Sequence, residues 1–319
     1  MNRLTRINII LEKQMPLIAP FSLLLGVAFA PFFIHLQLFV PWLFALMTFS
    51  GSLGAGFRDM KKAIQSPVPL FCTLFLLHVW MPLTALAAGR LLFGSNPHLV
   101  TGMVLEFTIP TSVVCIIWVS IYRGNAALSL SVLLIDTLLS PILTPLSLKL
   151  YLGSSTAIAP LDMIRDLLLM VAFPTLLAMS LNQYTKGEIK NTLSPKLAPF
   201  SKISLMLVVI INSSKAAPLF KAVTLKLFAV AITMLILAAS GFVFGITAAK
   251  ILKQKQAETV SLAFGSGMRN ISAGAVIAAQ YFPAEVLFPV MICTVFQQIL
   301  AALTGFILRK IEEKSHQVV

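Results

Sequence analysis

The chain has 319 residues, 58% of them hydrophobic and only 11% charged, with a mean hydropathy of +0.93. That balance excludes a soluble globular domain and identifies an integral membrane protein. The net charge of +13 would suit a nucleic-acid binder, but the basic residues are distributed as a membrane protein's are, and no nucleic-acid partner is expected.

The apolar residues run in blocks of about 20, the length that crosses hydrocarbon as helix. They do not alternate with period two, which excludes an outer-membrane barrel. Ten spans are predicted, at 15–34, 37–57, 68–93, 99–122, 125–152, 158–182, 197–216, 222–249, 257–281 and 284–308. Ahead of the first stand Arg3, Arg6 and Lys13, and Ala28-Phe29-Ala30 resembles a signal cleavage site. The apolar run continues through Pro31-Phe32-Phe33-Ile34, so this helix is expected to be retained. In the third span a lone His78 sits beside Met81-Pro82; a satisfied packing role is expected ahead of a proton relay.

The fourth span reads Leu105-Glu106-Phe107-Thr108-Ile109-Pro110-Thr111-Ser112-Val113. Proline removes a backbone donor and clashes with the preceding turn. Thr111 and Ser112 favour capping, so a new half-helix is expected to start there. Asp136 lies inside the fifth span; a buried carboxylate must be paired or carry a proton. Asp162, Arg165 and Asp166 open the sixth span at helical spacing and are expected to pair locally. Asn212, Ser213 and Ser214 precede Lys215 and are expected at headgroup level.

The ninth span contains Phe264-Gly265-Ser266-Gly267-Met268-Arg269-Asn270. A charge at the bilayer centre costs roughly 2.5–3.5 kcal/mol even on lenient scales, so Arg269 is expected to have a partner or a task. Asp136 and Glu106 are the candidate partners. Of Gln297 and Gln298 in the tenth span, one is expected to bond across helices and one to reach the ninth. Cys72, Cys115 and Cys293 have no CxxC spacing and suggest neither disulfide nor zinc.

With ten spans, Arg58, Lys61, Lys62, Arg123, Lys186, Lys190, Lys196, Lys202, Lys250, Lys253, Lys255, Arg309, Lys310 and Lys314 fall on the side of the N-terminal tail. Few of the 24 basic residues fall opposite, so both termini are expected in the cytoplasm of a multi-pass inner-membrane protein. The two interruptions, at Pro110 and at Gly265-Ser266-Gly267, lie about half the chain apart. Each falls in the fourth of five spans. An odd number of spans per repeat predicts inverted topology, with repeats at about 15–152 and 158–308 in one transmembrane unit. Paired interruptions point to the binding site of a secondary transporter. No HExxH, GxSxG or phosphate-binding glycine loop is present, so the chain is not expected to be an enzyme or to use ATP.

Arg123-Gly124-Asn125-Ala126-Ala127-Leu128-Ser129, continuing to Ser140-Pro141-Ile142-Leu143-Thr144-Pro145, resembles the bile acid:sodium symporter family, as do Met81-Pro82 and Gly267-Met268 with Asn270. The resemblance implies ten helices in two inverted five-helix repeats. Discontinuous helices four and nine cross in a core domain, against which a panel domain moves. It implies carriage of organic anions such as bile acids, pantothenate and keto acids, usually with sodium. The departures matter as much. The family's Pro-Gly-Gly-Thr-x-Ser-Asn is here Pro110-Thr111-Ser112-Val113-Val114-Cys115-Ile116, so two sodium ligands become Cys115 and Ile116. The family's Glu-x-Gly-Met-Gln-Asn has become Gly265 through Asn270, with Arg269 for glutamine. Leu77 and Leu133 stand at two further ligand positions, and Ser129 and Asn270 survive.

The expected function is alternating-access transport of a small organic anion. Thr111, Ser112, Ser266, Gly267, Arg269 and Asn270 would frame the substrate. Asp136, Glu106 and Ser129 would serve coupling or charge pairing. No metal or other cofactor is expected; sodium coupling is disfavoured by the missing ligands, and proton coupling or exchange takes its place. The partners are the anion and the bilayer, with the chain a monomer or weak homodimer. The rival readings are an arsenite-like exporter using Cys115 and a non-transporting sensor or scaffold of the same fold.

Overall fold

The computed structural model describes residues 3–57, 67–153, 160–222 and 224–317. Arg58, Lys61 and Lys62, assigned above to the cytoplasmic side, lie outside them, as do the side chains of Arg3, Arg6, Lys13 and Lys314. The described residues form helices and no named strand, with one isolated bridge between extended segments.

The chain opens with α1 (Arg3–Ala28) and α2 (Ala30–Ser52). The sequence placed the boundary between the first two spans near residue 35; it falls at Phe29. Pro31 explains the shift, because it occupies the first turn of the second helix, where a missing N–H costs nothing. Next is α3 (Pro67–Phe93), whose middle turn, Leu76–Trp80, is π-helical. Pro82 follows it and cannot donate to the His78 carbonyl four residues back; the Tyr151 hydroxyl donates to that oxygen instead, at 2.9 Å. The same device recurs in α7 (Pro160–Tyr184), where a π turn, Leu168–Ala172, precedes Pro174.

Between these lie α4 (Pro97–Thr108), α5 (Cys115–Ile121) and α6 (Ala126–Leu152). Asn96 caps α4 by accepting from Leu99 N, and Asn125 caps α6 by accepting from Leu128 N. The second half of the chain continues with α8 (Ser194–Lys221), α9 (Leu225–Ile251), α10 (Gln256–Gly267), α11 (Ile271–Tyr281) and α12 (Ala284–Gln317). Among the described residues seven helices are long and apolar enough to cross a membrane, namely α2, α3, α6, α7, α8, α9 and the Ala284–Ile311 part of α12. Leu17–Ala28 of α1 and α11 are shorter apolar pieces.

The helices pack in two groups. α1 and α2 lie on α8, and α7 lies on α2. In the second group α9 packs on α10, α3 on α4, and α4 on α12. The groups meet where α7 contacts α6 and where α8 contacts α11 and α12. Lipid is as apolar as leucine, so helix association in a membrane depends on close backbone approach and on polar bonds. Gly26 supplies the first: a β-carbon there would strike the Ile210 carbonyl and Ser213 of α8. Lys215 of α8 supplies the second, donating to the Ala279 and Phe282 carbonyls at the end of α11.

Candidate functional site

Two helices are interrupted, and their interruptions meet. Backbone leaves the helical region at Ile109 (φ −71°, ψ 154°) after α4 and at Met268 (φ −101°, ψ 134°) after α10. Thr111 and Arg269 then pair as an antiparallel bridge. Unwound backbone deep in a membrane must find partners for every amide and carbonyl, and here they can be traced. Asn270 N donates to Pro110 O at 2.9 Å. Thr111 N donates to Asp136 Oδ2 at 2.7 Å. The Thr111 hydroxyl lies 2.9 Å from Gly265 O and 3.2 Å from Met268 O. Gln297 of α12 clasps the peptide of Arg269 from both sides, accepting from its N at 2.9 Å and donating to its O at 3.1 Å.

The Arg269 side chain is 2% exposed, and its three guanidinium nitrogens have no hydrogen-bond partner. Its Cζ lies 5.7 Å from the centroid of the Phe107 ring, whose face attracts a cation. Asp136 and Glu106 both act on it through space. Neither closes a hydrogen bond to it, so the expected direct pair with Asp136 is not made. Asp136 is instead taken by His78, with Nε2 to Oδ1 at 2.6 Å. His78 is thus satisfied through Nε2, as the packing reading expects, by a partner far away in the chain. Glu106 is 1% exposed beside Cys293, with Oε2 unpartnered.

Other expectations meet mixed outcomes. Thr111 belongs to the junction, but the half-helix begins at Cys115 and not at Thr111 or Ser112. The Ser112 side chain accepts from Val114 N at 3.3 Å, closing a local turn before it. Ser266 turns away from the junction, toward Leu262 O at 2.6 Å and Gly241 O of α9 at 3.0 Å. Gly267 lies hard against the Phe242 ring, which leaves no room for a ligand at its α-carbon. Asn270 caps α11 by accepting from Ala273 N and is partly exposed. Ser129 is buried with its hydroxyl unpartnered.

Both glutamines act across helices as expected: Gln297 reaches the junction, and Gln298 accepts from the Trp118 indole at 3.0 Å. Asp166 accepts from the Tyr281 hydroxyl across the group boundary. Asn212, Ser213 and Ser214 are not solvated by headgroups but fully buried. The serines bond back to Val209 O and Ile211 O, while neither amide atom of Asn212 has a partner. Sequence reading undervalued Asn212 because Lys215 beside it suggested an interface; Lys215 reaches back to the end of α11 instead.

A model of the sodium bile acid symporter family matches residues 40–223, more than half of the chain. The chain belongs to the sodium bile acid symporter family. "Uncharacterized protein YbaS" of Bacillus subtilis (strain 168) is 44% identical over 300 residues, 94% of this chain and 98% of that one. "Probable sodium/metabolite cotransporter BASS1, chloroplastic" of Arabidopsis thaliana is 28% identical over 253 residues, 79% of this chain and 62% of that one. "Uncharacterized sodium-dependent transporter YocS" of B. subtilis is 23% identical over 295 residues, 91% and 89% of the two chains. The chain is therefore a multi-pass membrane transporter of the bile acid:sodium symporter type.

Proposed function

We propose that this symporter-family member carries a small organic anion by alternating access without sodium, and that Arg269 holds the anion at the crossing of the two interrupted helices. The observation that carries the reading is a fully buried guanidinium whose nitrogens lack partners. Burying an unpaired ion costs several kcal/mol, and a carboxylate would satisfy it with two parallel charge-assisted bonds. Ser112 and Asn270 flank the same backbone junction, and the buried amide of Asn212 supports a further contact from α8. Thr111, Gln297 and Gly267 serve the site by fixing the unwound backbone.

Ten spans in two inverted repeats account for the chain order, since in each half the interrupted span follows three helices and precedes one long helix. Helices α1, α2, α7 and α8 would then move as a panel against the remainder, with both termini cytoplasmic. Sodium is a hard ion that needs several oxygens. At the family's ligand positions Ser129 and Asn270 survive, but Leu77, Leu133, Cys115, Ile116 and Arg269, with Gly265 for the glutamate, do not fit it. A guanidinium at that point repels the ion besides.

The test is binding to purified protein in lipid nanodiscs, screened with taurocholate, pantothenate and pyruvate by thermal shift. At least one should bind equally well in sodium and in potassium buffer. Arg269→Gln should lose that binding by at least tenfold while remaining folded. Binding that requires sodium, or that survives Arg269→Gln unchanged, overturns the reading.

A further inference from the structure

His78 and Asp136 form a buried pair whose chemistry the anion site alone does not explain. With Asp136 ionised, its oxygen accepts and Nε2 of His78 carries the proton in the 2.6 Å contact. In the neutral imidazole this leaves Nδ1 as the bare nitrogen, and Nδ1 is buried with no partner. An added proton therefore has one place to go. His78 keeps 8% exposure where Asp136 has none. The histidine also lies on the π turn Leu76–Trp80, the kind of local irregularity that recurs at functional sites. The other oxygen of Asp136 holds Thr111 N, and Thr111 is bridged to Arg269. One carboxylate thus touches the titratable ring and the backbone of the crossing, and acts through space on the guanidinium.

Resting on the anion site proposed above, we propose that the His78–Asp136 pair carries the proton that couples transport, by handing the charge of Asp136 between His78 and Arg269. With the proton on Nδ1, the imidazolium neutralises Asp136, and the positive charge of Arg269 is left for the substrate. When the proton leaves, Asp136 is again an uncompensated anion beside the site. It then competes with the substrate for Arg269, and affinity falls. One proton and one monoanion enter and leave together, so the buried charge is the same in the loaded and empty carrier. No atom beyond the proton changes place, and water is its source and sink.

The other charged or titratable groups on elements packed against the pair are His98 and Glu106 of α4, Cys115 of α5, Cys72 and Arg90 of α3, Tyr151 and Lys149 of α6, Lys226 and Lys250 of α9, Glu258 of α10, and Asp162, Arg165, Asp166 and Tyr184 of α7. Glu106 acts on Arg269. Tyr151 donates to the His78 carbonyl, and Arg90 donates to the Tyr151 carbonyl.

Coupling is reciprocal, so protonation and anion binding must strengthen each other by the same factor. For the anion that binds best in the thermal-shift screen, wild-type affinity should tighten about tenfold as pH falls across roughly 8 to 5, the range in which imidazole titrates. His78→Gln keeps a donor to Asp136 but cannot be charged; it should bind weakly at every pH. Asp136→Asn mimics the neutralised carboxylate and should bind tightly at every pH. The two variants thus flatten the profile at opposite levels, which a merely structural pair would not do. Flat wild-type binding, or a slope that survives His78→Gln, overturns the proposal and leaves the anion site standing. If no probe binds the wild type at any pH, the anion site fails first, and histidine nitrogen NMR decides the proton site alone. In a protein carrying His35→Gln, His98→Gln and His316→Gln, titration of His78 that responds to Arg269→Gln supports the proton site. An imidazole that stays in one form across that range excludes it.

Discussion

At the scale of single residues, the charge on Arg269 and the backbone of Arg269 have different owners. The guanidinium is free of hydrogen bonds, whereas both ends of its peptide are held by Gln297. Arg269→Gln should therefore leave the crossing intact, its cost limited to the through-space attraction of Asp136 and Glu106. Gln297→Leu should do the reverse. It deletes two bonds worth about 1 kcal/mol each and strands a buried peptide, so a loss of about 2 kcal/mol or more in thermal unfolding is expected. Gln298→Leu, which releases only the Trp118 indole, should cost about 1 kcal/mol. The importance of Arg269 is legible in sequence, since a charge in an apolar run demands a reason. Its freedom from Asp136 is not legible. Both His78 and Arg269 were available to that carboxylate, and only the packing of α3 on α6 chose between them.

At the scale of elements, proline explains much of the shape. Pro110 ends α4 one residue after Ile109 turns extended, and Pro82 and Pro174 each follow a π turn. The lost bond at Pro82 leaves the His78 carbonyl for Tyr151. Tyr151→Phe should cost about 1 kcal/mol by the same measure. Pro82→Ala restores a local donor for that carbonyl, so the double variant should lose less than the two single losses added. Sequence reading located these breaks because proline and glycine act locally. It misplaced the first helix boundary and the start of α5, where the outcome depends on which neighbour satisfies a freed backbone group.

For the whole molecule, the contact between the two helix groups is where transport must act. Lys215 ties α8 to the carbonyls at the end of α11. Lys215→Met should loosen that end of the boundary, and hydrogen exchange of the amides from Ala279 to Phe282 should quicken several-fold while α4 and α10 stay protected. Within one group, Gly26→Leu should separate α1 from α8 and cost about 1–3 kcal/mol by overpacking.

Taken alone, the sequence determined the membrane environment, the helical class, the places where two helices break and the family to which the chain belongs. These follow from composition, from the period of apolar residues and from proline, glycine and charge acting on their own neighbours. Only the tertiary structure decided that the two breaks pair through Thr111 and Arg269, that Gln297 clasps the junction, and that His78 rather than Arg269 holds Asp136. Those choices are made between residues far apart in the chain, where burial leaves each polar group only the partners that packing brings within hydrogen-bond reach.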